Sequence, residues 1–383
     1  MYDAKKETLK RELRGHSVCL TTDTWTSCQN INYMVVTAHF IDSGWNMHKR
    51  VLNFCVVPNH TGNTIGKILE SCLINWNLDR VLTISVDNAS VNKVSIEYLQ
   101  KKMSGWPRKP LFDGKFMHVR CLAHIVNIIV RSSLHIMDRS VASIRNAVRY
   151  VRSSGQRLDV IKLCAEKEIL DCSKVCVLDV PTRWNSTFIM LDTALELKKA
   201  FDRMADVEDA KYRSYFDEED DLDEELNEAE NIKAARHSRK MVGPPVESNW
   251  EKAAVFVKFL NVFYDVTVEV SAQLKPTTNK VFHDIVTIRE ELDHLFHKPI
   301  DNQSTESDKI LFGMTDKMRN KFKKYFGSIE DINQLFFAAL VLDPRYKLKN
   351  VKRVCEMYLA MDSVEIKKKS DELKQLVLTL CDI

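Results

Sequence analysis

Short apolar runs alternate with polar turns near the start of the chain, and this pattern predicts antiparallel strands. Val18–Thr22, Tyr33–Ile41 and His48–Val57 are rich in Val, Ile, Thr and aromatic residues, which are the residue types that strands favour. Polar segments separate the three runs, and short polar connections of this kind join antiparallel neighbours. We therefore expect the chain to begin its fold with a three-stranded meander.

After Pro58 the pattern alternates between helix and strand. Apolar residues at helical spacing predict a helix over Thr64–Trp76. Arg80–Val86 is a fourth predicted strand, Asn92–Met103 a second helix and Phe116–Arg120 a short fifth strand. This order predicts an α/β domain with an initial set of antiparallel strands.

From Cys121 onward the pattern is helical almost to the end, with one charged interruption. Ten acidic residues and no basic ones occur between Asp217 and Glu230, and such a run repels itself and resists burial. A short extended segment is also predicted at Lys174–Val180, before a proline that disfavours helix. The predicted regions are an α/β core over 1–120, a helical region over 121–206, a mobile acidic connector over 207–247 and a second helical region over 248–383.

Composition narrows the class of protein without identifying a partner. The formal net charge of +3 is too small to indicate nucleic acid by itself, so any basic patch has to be local. No apolar run reaches the roughly 18 residues that span a bilayer, and the N-terminus lacks the apolar region of a signal peptide. The ten cysteines are scattered, which favours a reduced, intracellular protein with no membrane partner.

Two of the predicted strands end on an aspartate. Asp23 follows the first apolar run and Asp87 follows the fourth. If these strands are parallel neighbours, the two carboxylates lie close enough to hold one divalent ion, and Mg²⁺ prefers such oxygen ligands. The alternative is structural, because an Asp at a strand end commonly closes a turn or caps a helix.

Six sequence blocks in a fixed order resemble the hAT superfamily of DNA transposases, in particular plant members of the RICESLEEPER and DAYSLEEPER type. The likeness runs from about Arg14 to about Ala360. The blocks are Leu20-Thr-Thr-Asp-Thr-Trp-Thr-Ser27, Val86-Asp-Asn-Ala-Ser90, His118-Val-Arg-Cys-Leu-Ala-His124, Arg152-Ser-Ser-Gly-Gln-Arg157, Leu178-Asp-Val-Pro-Thr-Arg-Trp-Asn-Ser-Thr187 and Leu342-Asp-Pro-Arg-Tyr-Lys347.

The resemblance implies a ribonuclease-H-like core with a large helical region. It places Asp23 on the first, central strand and Asp87 at the end of the neighbouring fourth strand, as catalytic and Mg²⁺-binding residues if the protein is active. The family's BED zinc finger, and the returning segment that carries a third catalytic Glu beside a dimerisation region, have no recognisable counterpart in this sequence. We therefore expect a nuclear, transposase-derived DNA-binding protein that does not cut DNA.

Two other functions stay open. The first is an active cut-and-paste transposase that uses Asp23 and Asp87 with Mg²⁺ to break and join DNA strands. The second is a protein-interaction scaffold whose helical region pairs with related hAT-type proteins. A third acidic ligand distinguishes the enzyme from the other two, because a two-metal site generally needs more than two carboxylates.

Further candidate residues lie in the later blocks. Cys121 and His124 have a spacing that brings both to one helical face, but two ligands do not make a structural zinc site, and a buried core pair is the simpler interpretation. The resemblance gives Trp184, beside Arg183, a role in stacking on a DNA base; the alternative is a tryptophan in the core. Arg120 is a candidate phosphate contact.

Overall fold

The predicted strands form one mixed five-stranded sheet. The strands are β1 (Val18–Thr26), β2 (Asn32–Ile41), β3 (Met47–Val56), β4 (Val81–Val86) and β5 (His118–Arg120), in the order β3-β2-β1-β4-β5. β1 runs antiparallel to β2 and parallel to β4, and β5 runs parallel to β4. The sheet therefore has the mixed, ribonuclease-H-like arrangement that the sequence predicted, and the fold class is confirmed.

This computed structural model describes most of the chain, with gaps. The backbone divides into two compact units, and unit 1 contains the sheet. Unit 1 comprises Met1–Ile125, Glu269–Val286 and Tyr325–Ile383, and unit 2 comprises Val126–Val268 and Thr287–Lys324. The described residues are 2–171, 176–180, 182–207, 209–217, 242–272, 275–301, 304–328, 330, 332–359 and 362–382.

Helices account for most of the described residues outside the sheet. They are α1 (Tyr2–Leu13), α2 (Gly62–Trp76), α3 (Ser90–Met103), α4 (Leu122–Leu134), α5 (Asp138–Arg152), α6 (Gly155–Lys167), α7 (Trp184–Glu196), α8 (Lys198–Val207), α9 (Asp209–Asp217), α10 (Glu247–Val270), α11 (Val281–Phe296), α12 (Glu306–Phe326), α13 (Gln334–Leu342), α14 (Lys347–Leu359) and α15 (Ser363–Cys381).

One face of the sheet is buried in the main core of unit 1. Alternate residues of β1 and β2, such as Leu20, Met34 and Val36, are fully buried in a cluster that includes apolar residues of α2 and α3. The indole N–H of Trp76 at the end of α2 donates a 3.0 Å hydrogen bond to the carbonyl of Leu52 in β3. Because side chains alternate along a strand, burial of this face leaves the intervening residues on the other face.

Helices α2 and α3 approach each other closely at two glycines. A methyl group built on Gly66 would lie 2.6 Å from the ring of Tyr98, and one built on Gly62 would lie 2.6 Å from the carbonyl oxygen of Val91. The ring of Tyr98 is held by a 2.8 Å hydrogen bond from its hydroxyl to Glu70. The pair of helices that covers the buried face therefore has room for glycine and for no larger residue at these positions.

The structure corrects three predicted boundaries. β1 does not end on Asp23 but continues to Thr26, because its pairing with β2 extends to the Thr26–Asn32 pair. The helical pattern predicted over 121–206 is interrupted at Leu197, where α7 ends and α8 begins. The segment predicted at Lys174–Val180 to be a short strand or an extended stretch has no regular strand over its described residues, 176–180, which leaves the extended alternative.

The predicted domain limits differ from the grouping of the backbone. Tyr325–Ile383 belongs to the same unit as the sheet, although its sequence pattern resembles the other helical segments. Within the predicted acidic connector, Asp209–Asp217 forms α9, and Tyr212 and Phe216 of this helix are buried. The acidic run after Asp217 lies outside the described residues, so its predicted mobility stays a prediction.

The close approach of α2 and α3 predicts the effect of adding one methyl group. Gly66→Ala should destabilise the protein by about 1–3 kcal/mol, as overpacking of a filled core does. The matched control is Gly155→Ala at the start of α6, where a methyl group meets nothing within 4 Å. Urea denaturation measures both, and equal stability of the two variants would contradict the packing explanation.

Candidate metal centre and nucleic-acid interface

Strand register aligns three chemically active residues across β1, β4 and β5. Thr21 and Ser85 are the last paired residues of the parallel strands β1 and β4. Continuing this register by two residues brings Asp23 opposite Asp87, which lies just past the end of β4. Val86 pairs with Arg120 between β4 and β5, which makes Cys121 the neighbour of Asp87. We call Asp23, Asp87 and Cys121 the carboxylate row.

The electrostatics of Cys121 agree with this alignment. Burial raises the pKa of its thiol, hydrogen bonds from the backbone N–H groups of His124 and Ala123 oppose the rise, and the negative charges of Asp23 and Asp87 add to it. A thiol whose ionisation is opposed by both carboxylates lies within electrostatic reach of both. The thiol stays protonated at neutral pH, because its pKa is raised above an already alkaline ordinary value.

Asp87 closes a turn as well as facing its neighbours in the row. Its Oδ1 accepts hydrogen bonds from the backbone N–H of Ala89 at 2.8 Å and from the amide Nδ2 of Asn92 at 2.6 Å. These bonds tie the end of β4 to the first turn of α3. The prediction that this aspartate closes a turn is therefore confirmed. Both bonds use Oδ1, so Oδ2 of the carboxylate takes part in neither of them.

Cys121 caps α4 rather than pairing with the imidazole of His124. Its backbone N–H donates to the carbonyl of Val86 at 2.9 Å, and its carbonyl accepts from Ile125 at 3.1 Å. The thiol accepts from the backbone N–H groups of Ala123 and His124, as an N-cap side chain does. The Cys-x-x-His motif therefore forms the first turn of α4. Within it, the Cys121 thiol interacts with the backbone N–H of His124.

The row offers two carboxylates to a divalent cation. Among the described residues, no group of three or more His, Cys, Asp and Glu side chains is arranged to hold a metal. Mg²⁺, however, is commonly bound by one or two carboxylates and keeps several waters and substrate phosphates as its other ligands. Asn88, the residue after Asp87, has both polar atoms of its amide buried without a hydrogen-bond partner in the described structure.

Three aromatic rings lie on the same face as Asp23. Trp25 pairs with Tyr33 across β1 and β2, and Val35 pairs with both Asp23 and Phe54. The ring centroids of Trp25, Tyr33 and Phe54 are 5.3–5.9 Å apart. We call these three residues the aromatic cluster.

The aromatic cluster is open to solvent. Phe54 is 60% exposed and Trp25 is 38% exposed, although large aromatic side chains are usually well buried. The sequence analysis did not identify these rings as functional. The available signal was the two-residue spacing of Asp23 and Trp25, which places both side chains on one face of a strand.

Family models match three consecutive parts of the chain. Residues 21–115 match the ZBED1 RNase-like domain, residues 119–233 match the ZBED1 RNase-like helical domain, and residues 279–379 match the hAT-like transposase, RNase-H fold. This chain belongs to the hAT transposase superfamily. The recognition made from the six sequence blocks is confirmed.

Relatives of this hAT chain include transposases and BED-type proteins of plants. It is 30% identical to the "Putative AC transposase" of Zea mays over 94% of this chain and 40% of the relative. It is 27% identical to "Zinc finger BED domain-containing protein RICESLEEPER 2" of Oryza sativa subsp. japonica, and 23% identical to "Zinc finger BED domain-containing protein DAYSLEEPER" of Arabidopsis thaliana, each over 92% of this chain. The chain spans less than half the length of these relatives, with 44% and 45% of the latter two covered.

The hAT block around Trp184 is part of the packing of unit 2. Trp184 is 2% exposed and meets Phe188 edge-on, with ring centroids 6.3 Å apart. In this conformation its ring faces other side chains and has no open surface for a base. Arg183 is exposed at the residue before α7, so of the predicted pair only the arginine is accessible to DNA.

A buried ion pair fixes the same block. The guanidinium of Arg145 in α5 donates to both carboxylate oxygens of Asp179 at 2.8 and 2.7 Å, and the Thr187 hydroxyl donates to Asp179 at 2.7 Å. Burial opposes ionisation of Asp179, but these hydrogen bonds and the charge of Arg145 outweigh it and hold its pKa below the ordinary value. The aspartate of this block therefore organises the fold of unit 2.

Arg120 lies exposed at the end of β5. It alternates with Val119 and Cys121 along the strand, so its side chain leaves the sheet on the face opposite the carboxylate row. The predicted phosphate contact at Arg120 stays a prediction.

No helix among the described residues combines the length and the apolarity needed to cross a membrane.

The capping role of Cys121 predicts that oxygen can replace sulfur there. Cys121→Ala should cost about 0.5–2 kcal/mol because the first backbone N–H groups of α4 lose their acceptor. Cys121→Ser supplies an acceptor and should retain most of that stability, and Cys28→Ala, at an exposed turn, is the control. Chemical denaturation tests this, and a serine variant as unstable as the alanine variant would refute the cap.

Proposed function

We propose that this chain binds DNA through the exposed face of its sheet, as a transposase-derived protein, and does not by itself cut the strands. The alignment of Asp23 and Asp87 on adjacent parallel strands carries the proposal, because it brings two carboxylates together on the face of the sheet that also carries the aromatic cluster. The names of the plant relatives include both transposases and BED-type zinc-finger proteins, which supports a nucleic-acid partner without deciding the activity.

The exposed face offers two complementary contacts to DNA. The rings of the aromatic cluster can stack on bases that have left a duplex, since every base has a π-face and such stacking tolerates any sequence. The carboxylate row lies on the neighbouring strands. Without a cation the carboxylates would repel a phosphate backbone, so the two parts of the surface cooperate only when the negative charge of the row is offset.

A divalent ion bound at the carboxylate row would offset its negative charge. Asp23 and Asp87 would hold Mg²⁺, and the ion would neutralise charge on a nearby phosphate. The hydrogen bonds from Ala89 and Asn92 hold Asp87 in a fixed orientation before any ion binds. Cleavage generally needs a further acidic ligand, and the described residues provide no third one at the row.

An active cut-and-paste transposase is the second candidate. The same alignment of Asp23 and Asp87 favours it, because adjacent strand ends are where nucleic-acid enzymes of this fold carry their carboxylates. In that case Asp23 and Asp87 act as catalytic metal ligands and the exposed rings position the strand. The two proposals differ in whether the bound strand is cut.

The proposed location follows from the DNA-binding proposal. A protein that acts on chromosomal DNA works in the nucleus, and we propose that location. Pairing with related hAT-type proteins is proposed from the family resemblance alone and is independent of the surface described above.

Magnesium should strengthen DNA binding through Asp23 and Asp87. We expect Mg²⁺ to raise the affinity for single-stranded DNA by roughly 5-fold or more, a typical coupling between two ligands. Asp23→Asn and Asp87→Asn should abolish this increase and, without Mg²⁺, bind slightly better than the unmodified chain because repulsion is removed. Fluorescence anisotropy with and without Mg²⁺ tests this, with the exposed Asp3→Asn as the control, and an undiminished magnesium effect in both variants would exclude the row as the ion site.

Binding should depend steeply on salt and should not lead to cleavage. Phosphate contacts release counterions, so the logarithm of the affinity should fall linearly with the logarithm of salt concentration. Purified protein incubated with transposon-end DNA and Mg²⁺ or Mn²⁺ should leave the strands intact on a denaturing gel. Cleavage by the unmodified chain that Asp23→Asn abolishes would establish the transposase instead.

A further inference from the structure

A cavity of about 270 Å³ lies in unit 1 on the outer side of β5. It lies between the strand and the chain that leads into α13, and it is separate from the carboxylate row, whose side chains are on the other face of the sheet. Residues from two distant parts of the sequence line it. They are Lys115, Phe116, His118, Arg120, Leu122 and Ile125 from the region of β5, and Tyr325, Phe326, Glu330, Ile332, Asn333, Gln334 and Phe336 from the later segment.

Asn333 holds the two sides of this cavity together. Its amide Nδ2 donates to the backbone carbonyls of Phe116 at 3.2 Å and His118 at 3.1 Å. Its Oδ1 accepts from the backbone N–H of Leu335 at 3.0 Å and so caps α13. One side chain therefore satisfies the outer edge of β5 and fixes the start of a helix, which makes the cavity a preformed feature of the fold.

The walls of the cavity are aromatic. Phe116 and Phe326 are buried, and Tyr325 and Phe336 are partly exposed beside them. Flat rings at the surface of a small cavity suit a flat, polarisable guest, which gains stacking as well as burial. The volume lies just below the range of roughly 300–1,000 Å³ found for ligand pockets, which suits one small aromatic group rather than a polymer segment.

The charge at the cavity is mainly positive. Lys115 and Arg120 are exposed and make no ion pair within the described structure, and the ammonium of Lys115 lies 5.3 Å from the centre of the Phe116 ring. Burial lowers the pKa of His118, and the positive charges of Arg120 and Lys93 lower it further, so its imidazole is neutral near pH 7. Glu330 is the one acidic residue among the described residues that line the cavity.

We infer that this cavity binds a nucleoside monophosphate unit, with the base between the aromatic walls and the phosphate at Lys115 and Arg120. Arginine is suited to phosphate because its planar guanidinium forms two parallel hydrogen bonds. Glu330 and Gln334 add polar groups that can bond the edge of a base. A free mononucleotide and a single nucleotide extruded from DNA share this chemistry, and both sources are tested below.

The first experiment uses the full chain and free mononucleotide. Isothermal titration with adenosine 5′-monophosphate in EDTA should show saturable binding, and inorganic phosphate alone should bind at least tenfold more weakly. Arg120→Gln and Phe336→Leu should each weaken nucleotide binding by tenfold or more. Arg14→Gln, an exposed arginine in the same unit, should leave it unchanged, and circular dichroism confirms that each variant is folded.

The second experiment tests a nucleotide within DNA. A duplex with one unpaired 2-aminopurine should change its fluorescence when the protein binds, and Phe336→Leu and Arg120→Gln should remove that change while Arg14→Gln retains it. Either positive result supports the cavity, and the two results distinguish the sources. The inference is overturned if neither probe binds in a way that depends on Phe336 and Arg120, or if phosphate alone binds as tightly as the nucleotide.

The outcome does not depend on the proposed function. The mononucleotide titration is done without divalent ions and does not involve Asp23, Asp87 or the aromatic cluster. Failure of magnesium-dependent DNA binding would therefore leave this result standing, and loss of nucleotide binding would leave the DNA-binding proposal untouched.

Discussion

Burial of one face of the sheet is the constraint on which the rest of unit 1 depends. Leu20, Met34 and Val36 enter the core with apolar residues of α2 and α3, and a shift of one residue in any strand would expose them. The same constraint fixes Asp23 and Trp25 on the opposite face. The choice of side chains that enter the core thus decides which functional side chains lie on the opposite face of the sheet.

Parallel pairing then brings together residues that are far apart in sequence. Asp23 lies within β1, Asp87 follows β4 and Cys121 follows β5. They share a row only because β4 lies between β1 and β5. Each also serves the fold or its neighbours: Asp87 ties β4 to α3, and Cys121 caps α4. The carboxylate of Asp87 is held in place before any ligand arrives, because its hydrogen bonds tie the end of β4 to α3.

Several residues of the hAT sequence blocks stabilise the fold in the part of the chain that the structure describes. Asp179 accepts two hydrogen bonds from Arg145, and Trp184 is enclosed in unit 2. In the Leu342–Lys347 block, the carboxylate of Asp343 accepts from the guanidinium of Arg345 at 3.0 and 2.6 Å and from Asn279 at 2.8 Å. A shared motif therefore identifies the family, while burial and bonding decide whether a given residue faces the core or a ligand.

The sequence by itself determined the strands, the first helices and the family. Dense apolar runs of Val, Ile and Thr specify strands locally, and the ordered blocks specify the family. Tertiary structure alone decided that β1 runs past Asp23, that Trp184 is enclosed, and that Trp25, Tyr33 and Phe54 form one cluster. It also placed the segment around Asn333 against β5. These outcomes depend on pairing and packing between distant segments, and local hydrophobic pattern carries no information about which distant residues meet.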